Sequence, residues 1–374
     1  MVMKVKLIDL VERYKEEKDE LISCFKNTIS KGHLVLTKEV SDFENQINKY
    51  TKTKFCVGLN SGTDALMMAL WTKGIKKGDE VITTSKSFVA TAGAISHLGA
   101  KPIYVDVGDD LNIDPNLIET KITKKTKAIV PVHWTGRICD MDEINKLGKK
   151  YNIDIIEDAA QAMGAYYKNK HSGQFGNIAT FSTHPLKNLN ALGDGGYLIT
   201  NDKREYEKIK IYRNHGLVSR DRVDSFGVNS RLDSLNAAVL SFRLKKLKSI
   251  ISRRRKNVQI YKKYLSDLSI SSENLFFPEE KKYEKNSYVM FIGLCRKRDK
   301  LQQYLNSKGV QTLVYYGTPL HLHPASKKFG YKKGDFPNAE ALCNKVLAFP
   351  HNQHLKKKQI EFVCENIKKF YNKH

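Results

Sequence analysis

The sequence predicts an α/β protein: a large domain built on a mostly parallel sheet covered on both faces, then a smaller C-terminal α+β domain. Three observations carry this. Short β-branched runs alternate with helical stretches from about residue 55 to 200, the order that generates parallel strands joined by crossover helices. The candidate strands are nearly all apolar, as strands buried on both faces are. After residue 240 the pattern changes to one long amphipathic stretch and a shorter mixed region.

Taken in order, the candidate strands are 55–59, 80–84, 102–107, 128–132, 153–157, 179–182 and 197–200. Between the earlier ones, 64–71 and 89–98 are long enough to be crossover helices. Only Asp64 is polar in 64–71, so this helix is expected to be buried on most sides. Residues 235–265 read as helix, with Leu240, Leu244, Leu247, Ile250 and Ile251 at helical spacing. A loop rich in Pro, Glu and Lys follows at 277–286, then a strand at 288–294 and helices at 297–308 and 358–371. The expected boundary lies near residue 245, giving a large domain 1–245 and a small domain 246–374. Two domains suit 374 residues, and 41% hydrophobic content excludes intrinsic disorder.

The chain carries 64 Lys and Arg against 40 Asp and Glu, a formal charge of +24. Such a balance suggests a phosphate-bearing partner: nucleic acid, a membrane surface or a phosphorylated small molecule. The densest basic stretch, 243–256, coincides with the long amphipathic helix, so most of its charges read as one solvated face. No zinc-finger spacing or RNA-binding aromatic signature accompanies it, which argues against nucleic acid. No run approaches the ~20 apolar residues that span a bilayer, and residues 1–14 lack a secretory apolar core. A soluble, cytoplasmic protein without a membrane partner is expected. The six cysteines show no C-x-x-C pair, so they read as reduced core residues rather than disulfides or metal ligands.

Four features bear on chemistry. Asn60-Ser61-Gly62-Thr63 stands where a strand ends and a buried helix begins. Helix N-terminal N–H groups, a glycine allowing close approach and flanking hydroxyls make an anion cradle, although Ser61 alone is equally an ordinary N-cap. Asp158, in Glu157-Asp158-Ala159-Ala160-Gln161, stands at the carboxyl end of an apolar strand, where open α/β sheets bind ligands; a capping role is the alternative. Lys187 lies in an irregular loop before Gly193-Asp194-Gly195-Gly196, a setting suited to Schiff-base chemistry or to a surface charge. Phe88 opens a helix after a strand, positioned to stack on a planar ring or to fill core. A phosphate cradle, an acid for a pyridinium nitrogen, a lysine for an aldehyde and an aromatic plate are together the parts of a pyridoxal phosphate site.

The order and spacing of further motifs extend this. Ser61-Gly62-Thr63-Asp64-Ala65-Leu66, Gly78-Asp79-Glu80-Val81-Ile82, Phe88-Val89-Ala90-Thr91-Ala92, Gly99-Ala100-Lys101-Pro102, Glu157-Asp158-Ala159-Ala160-Gln161 and Gly227-Val228-Asn229-Ser230-Arg231 follow in sequence. So do Phe181-Ser182 through Lys187-Asn188, Pro319-Leu320-His321 and Phe336-Pro337-Asn338-Ala339-Glu340. From Lys6 nearly to the C-terminus the chain resembles the DegT/DnrJ/EryC1/StrS family, nucleotide-sugar aminotransferases of fold type I.

The resemblance implies roles residue by residue. Lys187 matches the Schiff-base lysine; relatives with histidine there are dehydratases, and here the lysine is intact. Asp158 matches the partner of the pyridinium nitrogen, and Gln161 the residue near the ring hydroxyl. Gly62, Thr63 and Ser182 match phosphate contacts, and Phe88 the aromatic covering the ring. Asn229 matches a residue given to the neighbouring subunit's cofactor phosphate, which implies a homodimer with shared active sites. His133, Tyr316 and His321 fall near substrate-side segments, with core or loop packing open as their alternative. The implied reaction moves an amino group from L-glutamate, leaving 2-oxoglutarate, to a C3 or C4 keto group of a nucleotide-linked 6-deoxysugar, toward surface glycans or related products. A pyridoxal phosphate dehydratase, or a non-catalytic regulatory or nucleic-acid-binding relative, are the alternatives. The chain departs from the family pattern at Thr37, Ser230 and Tyr315-Tyr316-Gly317-Thr318, which touches the identity of the sugar and not the cofactor residues.

Overall fold

Alternation of side chains along the strands decides the architecture. In the computed structural model Cys56, Ile82, Ile129, Ile155 and Ile199 enter one hydrophobic core, while their neighbours Val57, Val81, Ala128, Ile156 and Leu198 enter another. Successive strand side chains point to opposite faces, so a sheet apolar on both faces must be covered on both. The structure describes residues 3–373; Met1, Val2 and His374, at the outer ends of the two expected domains, lie outside the described residues.

Helices α1 (Leu10–Ile29) and α2 (Lys38–Thr51) precede β1 (Phe55–Leu59). Then come α3 (Gly62–Thr72), β2 (Glu80–Thr84), α4 (Val89–His97), β3 (Lys101–Val105), the single turn α5 (Pro115–Ile118), β4 (Thr126–Val130), α6 (Met141–Tyr151) and β5 (Asp154–Asp158). A hairpin of β6 (Tyr166–Tyr167) and β7 (Lys170–His171) leads to β8 (Ile178–Ser182), β9 (Gly196–Thr200) and α7 (Lys203–Tyr212). The seven-stranded sheet has the order β1-β9-β8-β5-β4-β2-β3. Strand β9 runs antiparallel to both β1 and β8, and the strands from β8 through β5, β4 and β2 to β3 pair in parallel. The expected strands at 102–107, 128–132 and 153–157 are thus present with ends moved by one or two residues.

A short ladder, β10 (Leu217–Ser219) with β11 (Arg222–Val223), precedes α8 (Ser234–Asp267). Beyond it lie β12 (Leu275–Phe276), β13 (Glu284–Lys285), β14 (Phe291–Cys295), α9 (Arg298–Ser307), α10 (Pro337–Cys343), β15 (Val346–Phe349) and α11 (Lys357–Lys373). Strands β12, β14 and β15 form a separate antiparallel sheet. The expected boundary at residue 245 falls inside α8, which runs unbroken across it. Ala237, Leu240, Leu244, Leu247 and Ile251 join the core of the large sheet, whereas Val258, Tyr261 and Leu265 join that of the small one. Val5 also belongs to the small core, bridging in parallel to Val310. None of the described helices is long and apolar enough to cross a membrane.

The parallel pairing has one consequence for function. The carboxyl ends of β2, β5 and β8, and the amino end of α3 after β1, all meet at one edge of the sheet, where open α/β folds bind ligands.

Candidate active site

That edge holds a cavity of about 390 Å³. Gly62, Thr63, Phe88, Asp158, Gln161, Ser182, Lys187 and Tyr316 line it, together with Ser61, Ser87, Thr91, His184, Met290 and Tyr315. Of the residues singled out in the sequence, the fold places eight in one cavity and three elsewhere.

At one wall the chain turns from β1 into α3. Ser61 caps the helix, its Oγ accepting from the Asp64 N–H at 3.0 Å. The Gly62 and Thr63 N–H groups sit in the first turn, where helix geometry offers no intrahelical acceptor. Ser182, the last residue of β8, faces them so closely that a Cβ on Gly62 would come within 2.7 Å of the Ser182 Cβ. Only glycine lets the two segments approach, and the resulting nest of N–H and hydroxyl groups is shaped for an anion. Gly62→Ala should therefore push the cradle open and weaken cofactor affinity about ten-fold, the order expected of a 1–3 kcal/mol overpacking. Titration of apoprotein with pyridoxal phosphate measures this, and unchanged affinity would refute the assignment.

Asp158 ends β5 and is buried. Burial raises its pKa, opposed by the Thr91 hydroxyl donating to Oδ2 at 2.7 Å, by the Ala160 N–H donating to Oδ1 at 3.2 Å and by the charge of Lys187. Gln161, three residues on, accepts from the Thr135 N–H at 2.8 Å. Tyr316 lines the cavity with Gln161, and its ring centroid stands 5.6 Å from that of Phe88.

Lys187 follows β8 in a loop with no regular structure, held by its own N–H donating to the His184 carbonyl at 2.9 Å. Burial lowers its pKa to about 8, with the Asp158 charge opposing. A lysine with its ordinary pKa is almost wholly protonated at pH 8, whereas here about half is the nucleophilic free amine. Acylation of Lys187 in the apoprotein is expected to rise with pH through about 8, read by mass spectrometry of the labelled peptide. A midpoint above 10 would show that the cavity does not desolvate the amine.

Three residues lie away from the cavity. His133 is buried behind β5, its Nε2 2.9 Å from Glu157 Oε2 and its Nδ1 accepting from the Cys139 N–H at 3.3 Å. Glu157 also accepts from the N–H groups of Gly173, Phe175 and Gly176, so the pair anchors the loop before β8. His321 is paired with Glu340 at 2.9 Å and packs edge-on against Phe336. Asn229 is exposed and lines a separate cleft of about 170 Å³ with Leu34, Val35, Asn60 and Arg231. The departure at Ser230 is also accounted for: its hydroxyl donates to Asp64 Oδ2 at 2.7 Å, tying the segment to α3.

Thr91 was not singled out for a role by the sequence. Its place one helical turn after Ser87 at the start of α4, facing the end of β5, was the available signal.

The donor set fits pyridoxal phosphate: a cradle closed to any side chain at Gly62, a buried carboxylate with acceptor capacity left, and a lysine of depressed pKa in the same cavity.

Comparison with known proteins agrees. The model of the DegT/DnrJ/EryC1/StrS aminotransferase family matches residues 15–368. A "Pleiotropic regulatory protein" of Geobacillus stearothermophilus is 39% identical over 370 residues, covering 99% of each chain. The dTDP-3-amino-3,4,6-trideoxy-alpha-D-glucose transaminase of Streptomyces venezuelae is 35% identical over 368 residues, 98% of this chain and 96% of that one. Among solved structures, NtdA of Bacillus subtilis with bound cofactor PMP superposes with a TM-score of 0.90 at 29% identity, over 99% of this chain and 86% of that one.

Proposed function

Because the chain belongs to the DegT/DnrJ/EryC1/StrS aminotransferase family, and is a pyridoxal-phosphate-dependent nucleotide-sugar aminotransferase, we propose that its donor is L-glutamate and its acceptor a 3-keto or 4-keto 6-deoxysugar linked to a nucleoside diphosphate. The observation that carries this reading is the joint placement of Lys187 and Asp158 in one cavity with the anion cradle. Pyridoxal phosphate, when bound, supplies the carbonyl that takes up the amino group and the electron sink for the carbanion formed at the amino-bearing carbon.

The residues do the rest. The N–H groups of Gly62 and Thr63 and the Ser182 hydroxyl would hold the phosphate, and the Asp158 carboxylate would keep the ring nitrogen protonated. Lys187, its amine partly unprotonated near neutral pH, would supply the nucleophile toward the carbonyl and the base and acid that moves the proton. Gln161 would serve the ring hydroxyl and Phe88 the ring face, and in support both line the cavity. Tyr316, which lines the same cavity, would serve the sugar side. His133 and His321 we now read as packing residues, since each is committed to a glutamate outside the cavity. Ile8, Val289 and Met290 add apolar lining, which suits a sugar short of hydroxyl groups.

The same reading makes the protein a homodimer in which Asn229 completes the neighbour's cradle, and a cytoplasmic enzyme of aminosugar synthesis. In support, Asn229 is exposed beside Leu34 and Val35, and Phe226 on the same loop is 96% exposed. For the lobes, the division we propose follows the cores: the smaller unit gathers Val5, Val258 and the elements β12, β14, α9, β15 and α11.

The test is L-glutamate against a panel of nucleotide-linked 3-keto and 4-keto 6-deoxysugars, with mass analysis of both products. Aminosugar and 2-oxoglutarate support the proposal. A deoxygenated sugar with release of ammonia would establish the dehydratase instead.

A further inference from the structure

Lys86 lies between the end of β2 and the cavity-lining pair Ser87-Phe88, yet it is only 1% exposed. Its Nζ donates to the Tyr316 carbonyl at 2.9 Å, approaches Cys343 Sγ at 3.5 Å and stands 4.8 Å over the Trp134 ring. A buried ammonium on a long flexible stem is expensive in desolvation and rotamer entropy, and an apolar side chain of the same length fills such a space more cheaply. What a methionine could not do is hold a carbonyl. The carbonyl held belongs to the residue that lines the cavity beside Gln161 and whose ring stands against Phe88, two positions beyond Lys86 itself. A second tie runs in parallel, the Leu320 N–H donating to the Ser85 carbonyl at 2.8 Å.

We propose that Lys86 is a positioning residue that fixes Tyr316 against Phe88 and thereby sets the capture of the nucleotide-sugar. The proposal rests on the reading of the cavity as a nucleotide-sugar site. Lys86 touches no reacting atom; it acts through the backbone of Tyr316.

The experiment uses the holoenzyme with Lys86→Met and Lys86→Arg. The two half-reactions are followed separately by cofactor absorbance, and hydrogen exchange is read in the peptide covering 314–320. Lys86→Met is expected to raise KM for the nucleotide-sugar about ten-fold or more, as for a lost charge-assisted hydrogen bond, with the glutamate half-reaction within about two-fold. Exchange in 314–320 should quicken, and Lys86→Arg should recover part of both effects. A merely structural role predicts instead that both half-reactions and the melting temperature fall together, and that outcome overturns the proposal. So does an unchanged KM with unchanged exchange. If the unmodified enzyme aminates no sugar of the panel, the substrate reading has failed by itself. The exchange arm then still decides Lys86: faster exchange upholds its hold on Tyr316, and unaltered exchange refutes it.

Discussion

Lys187→Ala is expected to reduce amino transfer by at least ~10³-fold, because in the proposed mechanism one side chain serves as both nucleophile and proton carrier. The cavity contains no ready replacement: His184 lines it, but with the Lys187 charge gone burial still lowers its pKa, so it is a weaker base than an ordinary imidazole. The loop is held by backbone contacts such as the Ala191 N–H on the Thr183 carbonyl at 2.7 Å, which the substitution leaves alone. Folding and phosphate binding should therefore survive, and the visible absorption of covalently held cofactor should vanish. A Lys187→Ala protein with full turnover would remove the basis of the assignment. An external primary amine offers a complementary check, since it should restore part of the proton transfer.

Asp158→Asn should move activity and stability in opposite directions. Activity should fall about 10²–10³-fold, the order of breaking a buried charge pair by neutralising one member. An amide of nearly the same shape can keep the Thr91 hydrogen bond at 2.7 Å but carries no charge to hold a protonated ring nitrogen. Stability of the apoprotein should rise. Burial raises the Asp158 pKa above its unfolded value, so the ionised carboxylate destabilises the fold once pH exceeds the unfolded pKa, and the penalty disappears below it. Asparagine removes that penalty at neutral pH. Steady-state rates and urea midpoints of apoprotein at pH 7 measure the two effects, and equal urea midpoints combined with full activity would contradict both arguments.

Much of this site was legible because its signals are local. Asp158 ends an apolar strand, Gly62 starts a helix and Lys187 sits in a glycine-rich loop, and each position follows from a few neighbouring residues. The rest depends on residues far apart in the chain. In a sequence with 64 basic residues, Lys86 looks like any surface lysine until Tyr316 and Trp134 close over it. His133 and His321 stand close to the site in sequence, and their partners Glu157 and Glu340 claim them in space.

Helix α1 was missed for a different reason: its pattern is inverted. Leu10, Val11, Tyr14 and Phe25 are exposed, whereas Arg13 and Glu17 are buried, with Glu17 accepting from Arg243 at 2.9 Å. A rule that puts apolar residues inside cannot find a helix docked through ions. Most of the charges in 243–256 do stay outside the core, Lys245, Lys248 and Lys256 being exposed, but Arg243 and Arg254 are buried, the latter meeting Asn188 Oδ1 at 2.6 Å.

The course of α8 also limits how the molecule can move. Its 34 residues make a rod about 50 Å long, with neither proline nor glycine along it to act as a joint. One end is rooted among the residues beneath the large sheet and the other among those of the small one. Wide jaw-like opening of one lobe from the other would therefore have to bend this rod. Mechanically α8 is a single beam shared by both lobes.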